Sequence, residues 1–370
     1  MRNRWFIALA AIGLHISIGS VYAWSVLTRP IMADMGFTLS QTTWTFSVTG
    51  LFGTAYALSV HNLTLLYLFY GIIGGIGLGI GYITPVSTLV KYFPNHPGFA
   101  TGLAIMGFGF ASLIAGPLMQ FLVAQFGLVN NFIILGVIYL VIMGASSLYL
   151  KAPQPKQPTR TTQDKSTMYV HNHGMLANDA MKTWQFGALW WVFFINITCG
   201  IGLLSLASPM AQEAIGMTPT AAASLVGIIG IFNGAGRIAW STISDYLGRA
   251  QTYILFFIIE IVAFYLLAQT NSSLTFQILI LLIITCYGGG FSCMPAYLAD
   301  LYGIRQLSTI HGRILTAWGL AGIVGPMLVS YFHEAGYGYT TALECFAALF
   351  VLNTIITIVL KLYGKRELHN

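Results

Sequence analysis

The chain has 370 residues, of which 56% are apolar and only 7% are charged, whereas a soluble domain carries about 25% charged residues. Its formal net charge is +6, but the basic residues gather at segment ends and form no continuous stripe, which argues against a nucleic-acid partner. This composition excludes an ordinary soluble protein and predicts an all-α protein that crosses a lipid bilayer many times.

Apolar stretches of membrane-spanning length recur along the chain. Ten are clear, and they lie at 5–27, 64–90, 99–125, 129–150, 184–209, 221–246, 252–269, 276–300, 311–332 and 341–361. A shorter stretch lies at 43–60. The first is too long for the core of a secretory signal peptide, so we expect it to form a helix of the mature chain. The cysteines show no pairing pattern, so no disulfide framework is expected.

Basic residues indicate the orientation in the membrane. Most Lys and Arg residues fall at alternate segment ends, and the opposite ends carry almost only Arg29. The positive-inside rule therefore places both termini and the polar stretch 151–183 in the cytoplasm. That stretch is rich in proline and basic residues, and it is typical of a linker between two membrane halves. His171 and His173 lie in it without further ligands nearby, so no metal site is expected.

The sequences before and after the linker resemble each other. Met35–Gln41 matches Ile215–Ala221, and further along the chain Pro85 matches Pro295. Between these two matches the later sequence is longer by about 30 residues. Halves related in this way are typical of secondary transporters.

The repeat predicts the domain organisation. Residues 1–150 would form an N-terminal helical bundle that lacks about one hairpin, and 184–370 a complete six-helix bundle. The segment 43–60 would then join the front of one helix to the back of the next. If it crossed the membrane, either the N-terminus or the linker would have to lie outside. We expect a re-entrant segment with both ends outside; an external N-terminus is the alternative.

Two charged residues lie inside apolar segments. Arg237 is flanked by apolar sequence on both sides, and an arginine near mid-membrane costs about 2.5–3.5 kcal/mol, so it is by default a functional residue. The alternatives are that it pairs with Asp245, two helical turns away, or extends to the interface. Glu260 is the second such charge. It could couple transport to protons, or be a neutral carboxyl hydrogen-bonded to a neighbour.

The stretch Asn233–Arg249 has the pattern N-G-x-G-R-x-x-W-S-x-x-S-D-x-x-G-R. It resembles the eighth helix and following loop of the major facilitator superfamily, in particular its oxalate/formate antiporter family. The stretches Gly74–Pro94 and Ala104–Phe110 are similar to the fourth and fifth helices of that family. The resemblance implies two helical bundles that work by alternating access, with about 10–11 transmembrane helices here in place of the usual twelve.

The resemblance also implies a substrate site. Arg237 takes the position of the basic residue that faces the substrate in that family, and Trp318 takes the position of a lysine in its oxalate-handling members. A single arginine suits a monocarboxylate better than a dianion, because one guanidinium holds one carboxylate in bidentate fashion. The other expected lining residues, each of which could instead belong to the core, are Tyr22, Trp24, Tyr82, Tyr287 and Phe291.

The charged turn that closes this motif predicts a conformational latch. Asp245 and Arg249 lie at its cytoplasmic end, where Asp245 could hold a cation or the N-terminus of a neighbouring helix in one access state. The equivalent turn of the first half falls in the missing stretch.

Taken together, these features predict a secondary active transporter of small organic anions, mono- or dicarboxylates, in the inner or plasma membrane. The alternative is a truncated, non-transporting relative of such a protein. An enzyme is not expected, because the intramembrane polar residues His15, Arg237, Glu260 and Glu344 are scattered along the sequence. No cofactor is expected, and we expect a monomer.

Overall fold

The computed structural model describes residues 3–20, 27, 34, 51–151, 153 and 174–363. These residues form helices and connecting turns, without a strand among them. The chain divides into two compact units. The first contains Met1–Leu89 and Leu103–Pro153, and the second contains Val90–Gly102 and Gln154–Asn370. The boundaries predicted from the sequence, 1–150, 151–183 and 184–370, stay a prediction.

The first unit is built from α1 (Arg4–Gly19), α2 (Leu51–Ser59), most of α3 (Leu63–Tyr92) and most of α4 (Pro97–Tyr149). Helix α3 is π-helical over Tyr67–Ile73 and continues as an α-helix through Pro85. Helix α4 has 53 residues, and Gly127 interrupts it with a φ of 80°. Glycine adopts this conformation at little cost because it lacks a Cβ atom. The interruption falls between the predicted spans 99–125 and 129–150, which correspond to the two parts of α4.

Helices α2 and α3 form a hairpin. His61 has a φ of 51° in the turn between them, and the Asn62 side chain accepts a hydrogen bond from Leu65 N at 3.0 Å. Gly53 of α2 lies against the ring of Phe69. The end of the predicted segment 43–60 therefore folds back onto the helix that follows it. Residues 43–50 lie outside the described part of the chain, so the re-entrant topology stays a prediction.

The second unit contains, after the linker, the helices α5 (Ala177–Ala180), α6 (Trp184–Glu213), α7 (Pro219–Leu247), α8 (Arg249–Gln269), α9 (Ser273–Tyr302), α10 (Leu307–Ile314), α11 (Thr316–Glu334) and α12 (Gly338–Tyr363). Glycines with positive φ lie at several of the junctions between these helices. Gly248, with a φ of 94°, lies between α7 and α8, and Gly303, with a φ of 77°, follows the end of α9. Each reverses the chain where a residue with a Cβ atom would be strained.

Seven helices among the described residues are long and apolar enough to cross a membrane. They are α3, α4, α8, α9, α12, the N-terminal part of α6, and α10 together with α11. Helix α7 is not one of the seven, although its 29 residues span about 44 Å at 1.5 Å per residue. Its sequence is more polar because it contains Asn233, Arg237 and Asp245. The chain is thus an all-α, multi-pass membrane protein, and its most polar long helix carries the predicted site.

Helices of the second unit pack as long pairs, with α7 along α9, α8 along α12 and α6 along α11. Small residues bring α7 and α9 close together. A Cβ atom on Gly236 would lie 2.5 Å from Thr285 O, so only glycine fits at this crossing. Close backbone approach of this kind is a common way for helices to associate in lipid. It fixes the position of the neighbouring Arg237 relative to α9.

Candidate functional site

Arg237 lies in the middle of α7 and is completely buried, with 0% of its surface exposed. Its Nε atom donates a hydrogen bond to Asn233 Oδ1 at 3.1 Å, across one helical turn. Its guanidinium carbon lies 5.0 Å from the centroid of the Phe291 ring on α9. A guanidinium over an aromatic face is stabilised by about 2 kcal/mol or more where water is excluded. The sequence therefore places a fixed, desolvated cation inside the second unit.

Phe291 is the centre of an aromatic cluster around this cation. Its ring contacts Tyr287 at a centroid distance of 6.0 Å, Trp318 of α11 at 5.2 Å and Phe193 of α6 at 5.1 Å, each edge to face. Tyr287, Phe291 and Phe193 are fully buried, whereas Trp318 is partly exposed. The cluster therefore reaches accessible space at the indole ring of Trp318.

The backbone of Arg237 is held as firmly as its side chain. Its carbonyl oxygen accepts hydrogen bonds from Ser292 Oγ on α9 at 2.6 Å and from Ser241 Oγ at 2.5 Å. Both serines are buried. These bonds tie the helical turn that carries the arginine to the helix that carries the aromatic platform, so they fix the position of the arginine relative to Phe291.

Four of the seven predicted substrate residues thus meet in one unit: Arg237, Tyr287, Phe291 and Trp318. Tyr82 belongs to the first unit, where its ring lies edge-on to Phe108 at 5.7 Å and to His15 at 5.3 Å. Tyr22 and Trp24 lie outside the described residues, so their place in a cavity stays a prediction.

A second arginine, Arg249, lies at the start of α8 and is bound by two carboxylates. Its Nη2 atom lies 2.7 Å from Asp245 Oδ1, and its Nε atom lies 2.9 Å from Asp300 Oδ2 at the end of α9. Its Nη1 atom also donates to Ser244 Oγ. The side chains of Arg249 and Asp245 are 8% and 3% exposed, so this ion pair is almost completely buried.

The same carboxylate of Asp245 binds the N-terminus of α4. The backbone amides of Gly98 and Phe99 each donate to one of its two oxygens at 2.8 Å. These amides lie in the first turn of the helix, where backbone N–H groups lack partners within the helix and carry partial positive charge. Asp245 therefore joins α7, α8 and the start of α4, the kind of contact that the latch hypothesis requires.

These contacts bear on the two alternatives that the sequence leaves open for Arg237, which are pairing with Asp245 and extension to the membrane interface. Asp245 is bonded to Arg249 and to the start of α4, and Arg237 is buried against Phe291 rather than extended to an interface. Neither pairing with Asp245 nor extension to the interface describes Arg237 in this structure.

Phe193 and Asp300 are among the contact residues that the sequence analysis does not single out. Phe193 gives no signal because it is one of many aromatic residues in an apolar helix. Asp300 does give a signal in the sequence, because it is a carboxylate in the last turn of a spanning helix. A carboxylate that is buried at such a position needs a basic partner nearby.

Comparison with known proteins identifies relatives along the whole chain. The sequence model of the Major Facilitator Superfamily matches residues 7–249 and 189–368. An uncharacterised MFS-type transporter of Escherichia coli, YhjX, is 27% identical, with 87% of this chain and 86% of YhjX covered. The oxalate:formate antiporter of Oxalobacter formigenes is 25% identical, with 98% and 93% covered. The apicoplast pyruvate carrier 1 of Toxoplasma gondii is 21% identical, with 69% and 57% covered.

Solved structures share the fold at lower sequence identity. The human organic anion transporter MFSD10 superposes with a TM-score of 0.64 and 14% identity, covering 96% of this chain and 85% of that one. Identity at this level establishes the fold alone.

Proposed function

Because the chain belongs to the Major Facilitator Superfamily, we propose that it is a secondary transporter of small monocarboxylates and that Arg237 binds the carboxylate. The observation that carries this proposal is the complete burial of Arg237 against the aromatic ring of Phe291. A charge inside a membrane protein is costly, and an anionic ligand that forms two parallel N–H···O bonds offsets that cost.

The surroundings of Arg237 favour a small and partly apolar anion. The guanidinium supplies a planar, permanently charged fork, which matches one carboxylate. The rings of Tyr287, Phe291 and Trp318 offer apolar surface to the rest of the molecule. Oxalate and formate, which the Oxalobacter relative is named for, and pyruvate, which the Toxoplasma relative is named for, are carboxylates. Trp318 stands where oxalate-handling relatives are expected to carry a lysine, so we propose a preference for monocarboxylates over dianions.

The rings also explain how a buried cation could take part in transport. In the present conformation Phe291 and Arg237 are both inaccessible, so a carboxylate reaches the guanidinium only after Trp318 or Phe291 moves. A site that is closed in one conformation and open in another is what alternating access requires. We assign the latch role to the Asp245–Arg249 pair. Asp245 holds the first turn of α4 by hydrogen bonds, which can break and form again when the protein changes conformation.

The proposal is tested by transport into proteoliposomes. The wild-type protein is expected to exchange labelled formate, lactate or pyruvate faster than oxalate at equal concentration. Arg237→Gln should abolish exchange of every substrate, while Arg305→Gln, at an exposed arginine of the same unit, should leave it unchanged. Equal rates for Arg237→Gln and wild type would reject the assignment of Arg237.

Uptake of none of these anions by correctly inserted wild-type protein would reject the transport proposal itself. The non-transporting alternative, which is motivated by the gap predicted in the first half, would then describe the chain.

A further inference from the structure

The last part of the predicted linker, Gly174–Thr183, forms a strap across the end of α9. Met175 N donates a hydrogen bond to the backbone oxygen of Tyr302 at 2.9 Å. Thr183 Oγ1 lies 2.9 Å from the hydroxyl oxygen of the same tyrosine, within hydrogen-bond distance. Because Tyr302 is the last residue of α9, both ends of the strap are fastened to the helix that carries Phe291.

The middle of the strap holds α10 at both of its ends. Ala177 N donates to Oε1 of Gln306, the residue before α10, at 2.7 Å. Arg313, in the last turn of α10, donates from Nη2 to Asn178 Oδ1, also at 2.7 Å. Helix α10 has 8 residues, about 12 Å at 1.5 Å per residue, so two long side chains reach one short stretch of the strap from opposite ends. The strap therefore fixes the position of α10 as a whole.

The position of α10 determines that of Trp318. Only Leu315 separates α10 from α11, and the helical hydrogen bonds continue across it. Leu315 N donates to His311 O at 3.0 Å, and Gly319 N donates to Leu315 O at 3.2 Å. A shift of α10 therefore moves the first turn of α11, which contains Trp318. Trp318 in turn contacts Phe291, the ring that supports the buried guanidinium of the proposed site.

A second set of hydrogen bonds ties the junction of α10 and α11 to α6. Thr316 Oγ1 donates to Arg313 O at 2.7 Å and accepts a bond from Trp190 Nε1 at 2.9 Å. Arg313 thus contacts the strap through its side chain and the start of α11 through its carbonyl oxygen. Loss of the strap contact would loosen the residue that positions the first turn of α11.

The strap is held mainly by polar contacts that can open. Leu176 and Met181 are 44% and 49% exposed, and the side chain of Ala177, which is buried, is small. The contact between Asn178 and Arg313 is also exposed. Segments with little buried apolar surface and exposed hydrogen bonds detach locally at low cost. The strap is therefore suited to release and rebind while the helices beneath it stay folded.

From these contacts we propose that Asn178 and Gln306 are positioning residues for the substrate site. While the strap is bound, α10 keeps Trp318 against Phe291. When the strap detaches, the first turn of α11 moves more freely, and Trp318 leaves the ring more often. The strap thereby sets how often a carboxylate reaches Arg237. This effect on transport rests on the proposed function, whereas the effect on α11 does not.

The effect on α11 is tested with a spin label beside Trp318. Gly319→Cys gives an exposed attachment point, where an added Cβ atom contacts nothing beyond its own helical backbone within 4 Å. Cys345→Ser removes a partly exposed native thiol. In this background Asn178→Leu should make the label more mobile. Asn178→Asp, whose carboxylate still accepts a bond from Arg313, should leave the label as it is in the parent protein.

Lys182→Gln is the matched control within the strap. Lys182 pairs with Asp179 at 3.4 Å, and because this ion pair lies inside the strap its loss should not change the label. Gln306→Leu removes the other attachment of α10 and should mobilise the label as Asn178→Leu does. An unchanged spectrum in both variants would overturn the strap, and one in a single variant would remove that residue from the positioning role. Asn178 is exposed, so its variants decide the matter even if Gln306→Leu does not fold.

The effect on transport is tested by pyruvate exchange in proteoliposomes at saturating pyruvate. Asn178→Leu should raise the maximal rate by up to about fivefold, the factor that an exposed charged contact supplies, because Trp318 leaves its place more often. Asn178→Asp and Lys182→Gln should exchange at the wild-type rate. An unchanged or lower rate in Asn178→Leu, together with a mobile label, would overturn the control of access. If the wild type carries no pyruvate while the label responds, the proposed function fails and the positioning of α11 by the strap stands.

Discussion

Two buried arginines of the second unit have opposite surroundings. Arg249, at the junction of α7 and α8, is bound by the carboxylates of Asp245 and Asp300 at 2.7 and 2.9 Å. Arg237, three turns earlier on α7, is bound by the amide oxygen of Asn233 and lies on the ring of Phe291. Both are nearly inaccessible, at 8% and 0%. The first is held by two acidic partners, whereas the contacts described for the second include an amide oxygen and an aromatic ring.

The difference separates a structural cation from a candidate binding cation. A guanidinium already held by two carboxylates has little to gain from a third anion. The contacts of Arg237 with an amide oxygen and an aromatic face fix its position in advance, as the carboxylate-binding role proposed above requires. We therefore expect mutations at Arg249 to change stability and conformation, and mutations at Arg237 to change ligand binding.

The largest effect on stability is expected for Arg249→Gln. It leaves the nearly buried Asp245 carboxylate without its cation, and breaking a buried ion pair from one side costs about 3–5 kcal/mol. Thermal unfolding in detergent should show a clear loss for Arg249→Gln and almost none for Arg305→Gln. Equal stability of the two variants would remove the distinction between the two arginines.

Asp245→Asn is expected to have an intermediate effect. The asparagine oxygen can still accept one of the two amide bonds from Gly98 and Phe99, but the ion pair and the second bond are lost, at about 1–3 kcal/mol. Because the lost contacts hold the first turn of α4, the balance between conformations should shift more than the affinity in either. Cysteine-accessibility labelling on both sides of the membrane measures that balance, and an unchanged pattern would argue against the latch.

Phe291→Leu probes the aromatic side of the comparison. It removes the ring beneath Arg237 but keeps most of the apolar volume, so the main loss is the cation–π interaction of the buried pair, about 2 kcal/mol. Carboxylate affinity should fall by about thirtyfold. The matched control is Phe264→Leu, which alters a buried ring that stacks on Phe350 at 5.6 Å. Equal affinities in both variants would mean that the ring does not position the guanidinium.

The smallest effect is expected for Asp300→Asn. Its side chain is 42% exposed, and ion pairs accessible to water contribute about 0–1 kcal/mol. Since Asp245 continues to hold Arg249, unfolding should shift only slightly. A loss as large as that of Arg249→Gln would show that Asp300, rather than Asp245, neutralises the arginine.

Much of the fold could be predicted because hydropathy reports membrane crossing directly. The predicted span 252–269, for example, corresponds to α8, and 341–361 to α12. The sequence also separates 99–125 from 129–150, and the backbone of α4 is interrupted between these two spans, at Gly127. The re-entrant course of 43–60 stays a prediction, because its length favours a crossing, the charges around it oppose one, and residues 43–50 lie outside the described part of the chain.

The site could be predicted only in part. Arg237 is detectable because a cation is conspicuous in an apolar segment, and Asp245 and Arg249 because they form a charged turn. The meeting of Tyr287 and Phe291 on α9 with Trp318 on α11 depends on how the helices pack, which the spacing of aromatic residues does not encode. Asn196 is an amide in an apolar helix, and only the structure shows that its Nδ2 atom lies 3.5 Å from Glu260 Oε2.

Ligand-dependent thermal unfolding of wild type, Arg237→Gln and Arg249→Gln tests the central claim most directly. A ligand at about 100 times its dissociation constant stabilises a protein by about 2.7 kcal/mol. With pyruvate at saturation, the melting temperatures of wild type and Arg249→Gln should rise, the latter from a lower starting value. That of Arg237→Gln should not respond. An equal rise in Arg237→Gln would contradict the claim that this arginine binds the carboxylate.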